Sequence, residues 1–241
     1  SIPLPFWFCN NPGLALPLIA LQYHDIKLKL NFKSRQYVFN GNKFPNLSTD
    51  ANISLWVDYI YLDTDERRRY AQVSHEYLIE QVQVQSFSGG GTQIIKLNFN
   101  HPVKELIWGG LGVGNTWGSV DENSAAFVTF YNDDGTSTVQ LKLNGHDRFE
   151  KLEAEYFTRY QIYKYHTGTP FTVVRDSISV YSFALKPEEH QPSGTCNFSR
   201  IDNAQLIFNN LSGTTGTRYI YAVNYNILRI MSGMGGLAYS N

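Results

Sequence analysis

The chain has 241 residues, 42% hydrophobic and 15% aromatic, enough for one large domain or one and a half smaller ones. Its formal net charge of −1 provides no global basic field for binding nucleic acid by counterion release, so a genome-coating role is not expected. Sixteen Tyr and fifteen Phe favour strands, and nineteen Gly favour many turns, which together point to an all-β protein. The two cysteines, Cys9 and Cys196, are far apart and not in metal-ligand spacing; they read as small buried apolar side chains rather than a disulfide scaffold. The apolar run 14–21 contains Pro17 and falls short of the roughly 18 residues that span a bilayer. With no basic leader followed by an apolar stretch, an intracellular, reducing site of assembly is expected. The chain enters at Ser1 directly into apolar residues 2–8, as if cut within a domain.

In chain order, Ile26, Leu28, Leu30 and Phe32 alternate with Lys27, Lys29 and Asn31, predicting a half-buried strand. Asn40-Gly41-Asn42 supplies turn chemistry, residues 45–52 read as loop, and 53–62 as a strand buried on both faces except at Asp58. Residues 63–73 are expected to form a short helix, with Asp63 as cap and Glu66 at the capping-box position. Its three arginines, Arg67 to Arg69, point in different directions and read as a solvated or interface-paired connector rather than a phosphate patch.

From residue 76 onward eight strands are expected, at 76–87, 93–99, 103–108, 125–131, 136–143, 178–185, 204–208 and 219–230. In the first, Val82 and Val84 are assigned to the core and Gln81, Gln83 and Gln85 to solvent; in the second, Ile95, Leu97 and Phe99 are buried; in the fifth, Val139, Leu141 and Leu143 alternate inward. Residues 132–135 signal a hairpin, and 147–166 a helix with Leu152, Tyr156 and Tyr160 on one stripe. Long connections between many of these strands suit a two-sheet jelly roll better than a meander.

No catalytic constellation emerges. His24-Asp25 and His75-Glu76 are strand neighbours that face opposite sides; the remaining histidines lack ligand spacing, and no GxSxG or P-loop occurs. Gly89-Gly90-Gly91 reads as a flexible hairpin tip, not a phosphate cradle. Trp108, Trp117 and Tyr131 leave a carbohydrate-binding β-sandwich open as an alternative, against which stands the reading of Trp108 as core and Trp117 as loop or interface packing. Of four Asn-X-Ser/Thr sequons, Asn46 and Asn210 lie in loop-like surroundings and are the candidate glycan acceptors, ahead of Asn52 and Asn197. Arg200 with Asp202, and Arg229 within an apolar strand, are candidate buried or interfacial ion-pair residues. Loops at 89–92, 109–123 and 168–173 are candidates for outward-facing or subunit-contact elements.

Residues 191–203 (QPSGTCNFSRIDN) and 224–239 (NYNILRIMSGMGGLAY), with 11–30, 55–63, 75–81, 97–106 and 181–187, resemble the major capsid proteins of large icosahedral double-stranded DNA viruses of the nucleocytoplasmic type, the algal-virus members most. The resemblance spans nearly the whole chain, with several motifs in order. It implies two successive jelly rolls: residues 1–63 as the C-terminal portion of the first, 64–75 as a short helical linker, 76–241 as the second, with earlier strands and the N-terminal arm absent. It further implies a non-enzymatic subunit, without cofactor or metal, that self-assembles into pseudo-hexagonal homotrimers. Its expected partners are copies of itself, minor capsid and penton proteins, with no direct nucleic-acid contact and no transmembrane segment. Its expected location is the virion capsid, assembled in the host cytoplasm.

Overall fold

A computed structural model of the chain describes residues 2–31, 53–112, 130–132, 134–167, 178–213 and 216–239. The expectations for Phe32, Asn40-Gly41-Asn42, the 45–52 loop, Asn46, Asn52, Trp117, most of 125–131 and the 168–173 loop fall outside these residues.

Ten strands occur among the described residues: β1 (His75–Ser88), β2 (Gly91–Lys96), β3 (Pro102–Gly112), β4 (Thr138–Leu143), β5 (His146–Glu153), β6 (Ile178–Ser182), β7 (Cys196–Asn197), β8 (Ala204–Leu211), β9 (Gly216–Met231) and β10 (Met234–Leu237). One sheet has the order β1-β9-β3-β6, with β10 added to β9 and β7 to β3; the other has the order β2-β8-β4-β5. Setting the short β7 and β10 aside, the first strand lies beside the last and the second beside the last but one, the interlocked arrangement of a jelly roll. The chain packs as two compact units, one of Ser1–Phe32, Lys43–Glu80 and Asn226–Asn241, the other of Lys33–Asn42 and Gln81–Tyr225.

In the larger unit, period-2 patterning delivers inward side chains from both sheets. Val139, Leu141, Leu206 and Phe208 are buried, as the alternation of β4 and β8 requires, and Leu97 and Phe99 from the segment after β2, with Val103 and Leu106 from β3, are buried with them. At the centre, Trp108 lies 5.2 Å from Phe157 and 6.1 Å from Phe208, while Phe130 and Phe87 lie 5.3 Å and 5.5 Å from Phe208. Each fully buried side chain of this size stabilises the fold by about 1.5–3 kcal/mol.

In several places the structure departs from the sequence expectation. Residues 147–166 are not one helix: Asn144 (φ 51°) and Gly145 (φ 83°) form a tight turn that folds β5 back on β4, because both positions need the left-handed region that an Asn-Gly pair tolerates. Only after Glu153 does the chain become helical, through a π turn at Tyr156–Tyr160 into α2 (Gln161–Tyr165), which the sequence-derived stripe of Leu152, Tyr156 and Tyr160 overran. In β1 the facing is the reverse of expectation. Val82 and Val84 are 63% and 58% exposed, whereas Gln81, Gln83 and Gln85 share the inward side with Phe87.

In the smaller unit a helix, here α1 (Thr64–Gln72), forms as expected, with Asp63 Oδ1 accepting from the Glu66 N–H at 2.9 Å; none of its residues is buried. Tyr70, His75 and Tyr77 stack in sequence at 5.1 Å and 6.3 Å, and the His75 ring donates to the Tyr70 carbonyl at 2.8 Å. Ile79, Ile230, Leu14 and Ala20 are buried. The expected strands at 26–32 and 53–62 are not formed among the described residues. Ile26, Leu28 and Leu30 are exposed, and Trp56 and Tyr61 are 91% and 92% exposed rather than sandwiched. A strand exists only by pairing, and no described segment pairs with either stretch. Cys9 is exposed and Cys196 half-buried, both as free thiols, so Cys9 is not the buried side chain expected of it.

Candidate functional site

Four polar arrangements fix the edges and ends of the sandwich. The first is Arg218, a fully buried cation on β9 whose guanidinium donates to the Gly89 carbonyl at 2.6 Å and the Ser212 carbonyl at 2.7 Å, with its Cζ 5.5 Å from the Phe130 ring centroid. Burial depresses its pKa, yet a guanidinium stays charged in proteins, so the charge is met by carbonyl dipoles and an aromatic face. The glycine run is therefore a clamped turn rather than a flexible tip. A Cβ at Gly90 would meet the Ser212 carbonyl oxygen at 2.6 Å, which is why the chain there carries no side chain.

The second arrangement explains the inverted face of β1. Gln83 donates to the Asn100 carbonyl at 2.7 Å and accepts from the Asn100 N–H at 3.0 Å; Gln85 donates to the Lys96 carbonyl at 2.7 Å and accepts from the Asn98 N–H at 3.1 Å. Side-chain amides thus pair with main chain as a neighbouring strand would, joining β1 to the segment that continues β2. A visible signal was missed: Gln83, Gln85 and Phe87 share one parity, so burying Val82 and Val84 would have turned Phe87 outward.

In the third, Asn210 (φ 57°) ties the start of β4 to β8. Its Nδ2 donates to Asp134 at 3.2 Å and to the Thr136 hydroxyl, its Oδ1 accepts from Asn132 at 2.7 Å, and its carbonyl accepts from Ser137 at 2.7 Å. The nitrogen to which a glycan would be attached is already engaged in this network. Hydrogen bonds to Thr136 hold the Asp134 carboxyl below its ordinary pKa.

The fourth follows from a bulge. Register against β9 passes from Val103 to Glu105 across Asn224 and Val223, so Lys104 is the extra residue and Glu105 turns outward instead of joining Val103 in the core. Lys104 Nζ donates to the Pro187 carbonyl at 2.7 Å. Glu105 meets His166, at the end of α2, with 3.3 Å between Oε2 and Nε2; Glu188 approaches His166 Nδ1 at 3.5 Å and is held by the Thr167 N–H at 2.8 Å and hydroxyl at 2.6 Å. The Glu105–His166 contact is close but lacks hydrogen-bond alignment, so it is best described as an ion pair. The Glu105 contact raises the His166 pKa above its ordinary 6.5 against the opposing effect of burial, and Glu188 adds to the rise. Glu188 itself is lowered, first by the Thr167 hydroxyl. None of these groups stood out in the sequence, because they are distant in the chain and the bulge is invisible to periodicity.

The outer faces of the two sheets differ. On the β2-β8-β4-β5 sheet, register places Lys96 with Gln205 and Lys142, Asn209 with Thr138, and Asp147 opposite Lys142, with Ile94 and Ile207 between them. On the other sheet the outer side carries Tyr219, Tyr221 and Val223 on β9, Gly109, Ile107 and Glu105 on β3, and Ile178, Val180 and Ser182 on β6, with Val82, Val84, Ser86 and Ser88 on β1; Glu105, Val180 and Ser182 are buried. Glu105 is the one carboxylate among these outward residues, and Tyr219 and Tyr221 stack at 6.1 Å.

The other residues singled out from sequence are placed as follows. Arg229 pairs with Glu76 at 2.7 Å on an open surface, both side chains being about half exposed. Arg200 and Asp202 are exposed, and no ion pair joins them among the described residues. Asn197 caps a short turn by accepting from the Ser199 N–H at 3.1 Å. Trp108 and Tyr131 are buried and hydrogen-bonded to each other at 2.7 Å, with Ser179 beyond at 2.8 Å, so these two form no sugar platform and the carbohydrate-binding alternative loses two of its three aromatic residues. Among the described residues no group of three or more His, Cys, Asp or Glu is arranged to hold a metal, and no helix is long and apolar enough to cross a membrane.

The family model described as large eukaryotic DNA virus major capsid protein matches residues 66–236, and that described as major capsid protein N-terminus matches residues 1–63. The chain is 52% identical to the major capsid protein of Pyramimonas orientalis virus, covering 100% of this chain and 61% of that protein, and 42% identical to that of Paramecium bursaria Chlorella virus 1, covering 100% and 66%. Its structure is similar to a quasi-atomic model of the PBCV-1 virus capsid, with a TM-score of 0.74 and 36% identity over 100% of this chain and 70% of the other. The Faustovirus major capsid protein, at 17% identity and a TM-score of 0.51 over 71% of this chain and 36% of the other, shares the fold. Among these curated relatives the chain spans 61% of the length of the first and 66% of the second. The jelly-roll strand order and these matches converge, and the chain belongs to the family of large eukaryotic DNA virus major capsid proteins.

Proposed function

We propose that this chain serves as the structural subunit of a viral shell, forming pseudo-hexagonal homotrimers that tile the outer icosahedral surface of a large DNA virus. The observation that carries the proposal is the complete jelly-roll strand order over residues matched to the capsid family. In this reading residues 1–63 belong to the C-terminal portion of a first jelly roll, 64–75 link, and 76–241 form the second. The chain performs no catalysis and needs no cofactor. It contacts copies of itself, neighbouring capsomers and minor capsid and penton proteins, does not touch nucleic acid directly, and resides in the virion after assembly in the host cytoplasm. The near-neutral charge supports a protein–protein role over a genome-binding one.

The test is the solution mass of the full-length protein by light scattering, beside that of this chain alone. Three protomers for the full-length protein support the reading. A well-behaved monomer at all concentrations, above all one retained on a glycan column, overturns it.

A further inference from the structure

The loop 183–194 is tied at two levels. Its neck is closed by bonds that do not titrate: the Phe183 and Ala184 N–H groups donate to the Lys104 carbonyl at 2.9 Å and 3.2 Å, and the Lys186 N–H donates to the Ser193 hydroxyl at 2.9 Å. Its tip is held by charge, with Lys104 Nζ on the Pro187 carbonyl and Glu188 on Thr167 and His166 at the end of α2, while Glu105 approaches the same imidazole from β3. His166 thus stands between two carboxylates from different segments, Nε2 toward Glu105 and Nδ1 toward Glu188. An imidazolium has two N–H groups and serves both; a neutral imidazole has one, and turns a lone pair on the carboxylate it gives up. Burial decides which that is. The Glu105 side chain is 9% exposed, and neither its Oε2 nor His166 Nε2 hydrogen-bonds elsewhere, so the remaining proton belongs on Nε2, where an unmatched buried carboxylate would cost most. The Glu188 side chain is 39% exposed, within reach of water, and keeps its bonds from Thr167.

We propose that His166 is a latch on this loop: with both ring nitrogens protonated it ties the tip to β3 and α2, and on losing the Nδ1 proton it lets Glu188 go, so that the tip loosens while the neck stays closed. The direction follows from the charges. Glu105 first, and Glu188 with it, raises the His166 pKa above 6.5 against the effect of burial, so the tie is complete below about pH 6.5 and is lost as pH rises through the folded value. Glu188 is held below 4.5 and stays ionised throughout that range. The other charged groups on these elements are engaged away from the ring: Lys186 pairs with Glu189 at 2.8 Å, Lys164 lies over the Tyr160 and Tyr165 rings, Lys104 faces Pro187 and Tyr225, and Arg148 on β5 acts on Tyr181 of β6. His190, exposed further along the loop, is a second imidazole whose effect substitution at His166 separates.

The experiment is amide hydrogen exchange of the full-length protein read by mass spectrometry, at about pH 5.5 and about pH 9, with rates corrected for the base-catalysed exchange of a free amide. Loss of a partly exposed ion pair corresponds to at most about a fivefold change, so peptides covering 183–190 and Thr167 are expected to exchange about three to five times faster at the higher pH, with peptides from β8 unchanged. His166→Gln is expected to remove that pH dependence and to exchange at the faster rate at both values. Glu188→Gln, which keeps an acceptor for Thr167 and loses the charge, is expected to remove it as well, and at its more open position it answers the question even where His166→Gln does not fold. The proposal is overturned if wild-type exchange in 183–190 is independent of pH after correction, if either folded variant retains the full dependence, or if β8 loses protection equally, which would make the change global unfolding. Failure of both variants to fold also overturns it, because the trio would then be a requirement of the fold and not a latch.

Discussion

Two stretches with the same sequence signature meet opposite fates. Val139 and Leu141 alternate with polar residues and are fully buried; Ile26, Leu28 and Leu30 alternate as cleanly and are 48%, 37% and 43% exposed. The first pair sits between β8 and β5, which satisfy the backbone on both sides. The second stretch, like 53–61, has no strand beside it among the described residues. Alternation states which side chains could face a core, but partner strands decide whether one exists.

The strongest way to break the contrast is Trp108→Ala in the larger unit. It should cost about 3–5 kcal/mol and lower the thermal midpoint sharply, because the cavity opens among Phe157, Phe208 and Tyr131. Chemical denaturation of the two proteins side by side checks this, and a loss below 1 kcal/mol would deny that this aromatic cluster is the core.

Next is the Arg218 clamp. Arg218→Met keeps the apolar stem and removes the donor from one buried carbonyl, Ser212, and one part-buried carbonyl, Gly89, for an expected loss of about 1–3 kcal/mol, with faster amide exchange at the β1–β2 turn. Gly90→Ala, which drives a methyl against the Ser212 carbonyl, should destabilise by about 1–3 kcal/mol. If Gly90→Ala is neutral, the turn is looser than the clamp implies.

A smaller, pH-dependent effect is expected at His166. Its folded pKa is raised above the ordinary 6.5, so its stabilising contribution is complete below about pH 6.5 and is lost as pH rises through the folded value. Glu188 is lowered, so its share is present above its ordinary 4.5 and lost as pH falls through its folded value. Melting of wild type against His166→Gln should therefore show the largest difference on the acid side of neutrality, between those two limits, and converging midpoints in alkaline buffer. A constant difference across pH would show that the histidine acts through packing alone.

The smallest effect belongs to the other side of the comparison. Tyr61→Ser in this chain, at a residue 92% exposed, should change stability by less than about 0.5 kcal/mol, despite the apolar reading of its surroundings. A loss of 2 kcal/mol in the same assay would mean that 53–61 is packed in solution.

By itself the sequence determined the all-β class, the jelly-roll architecture, the capped helix after Asp63 and most strands of the larger unit. The class, the cap and the strands rest on local rules, period-2 alternation, capping chemistry and turn residues, all of which act within a few positions; the jelly-roll architecture came from the long connections between strands and from the resemblance to the capsid family. Tertiary structure alone decided the rest. The facing of β1 depended on which main chain Gln83 and Gln85 could reach, and the outward turn of Glu105 on a bulge that only pairing with β9 creates. Arg218 found its partners 129 and 6 residues away, and the trio of His166, Glu105 and Glu188 was assembled by the return of three distant segments. Hydrogen bonds and ion pairs are short-ranged in space but indifferent to separation along the chain, so their partners can be known only once the sheets have closed.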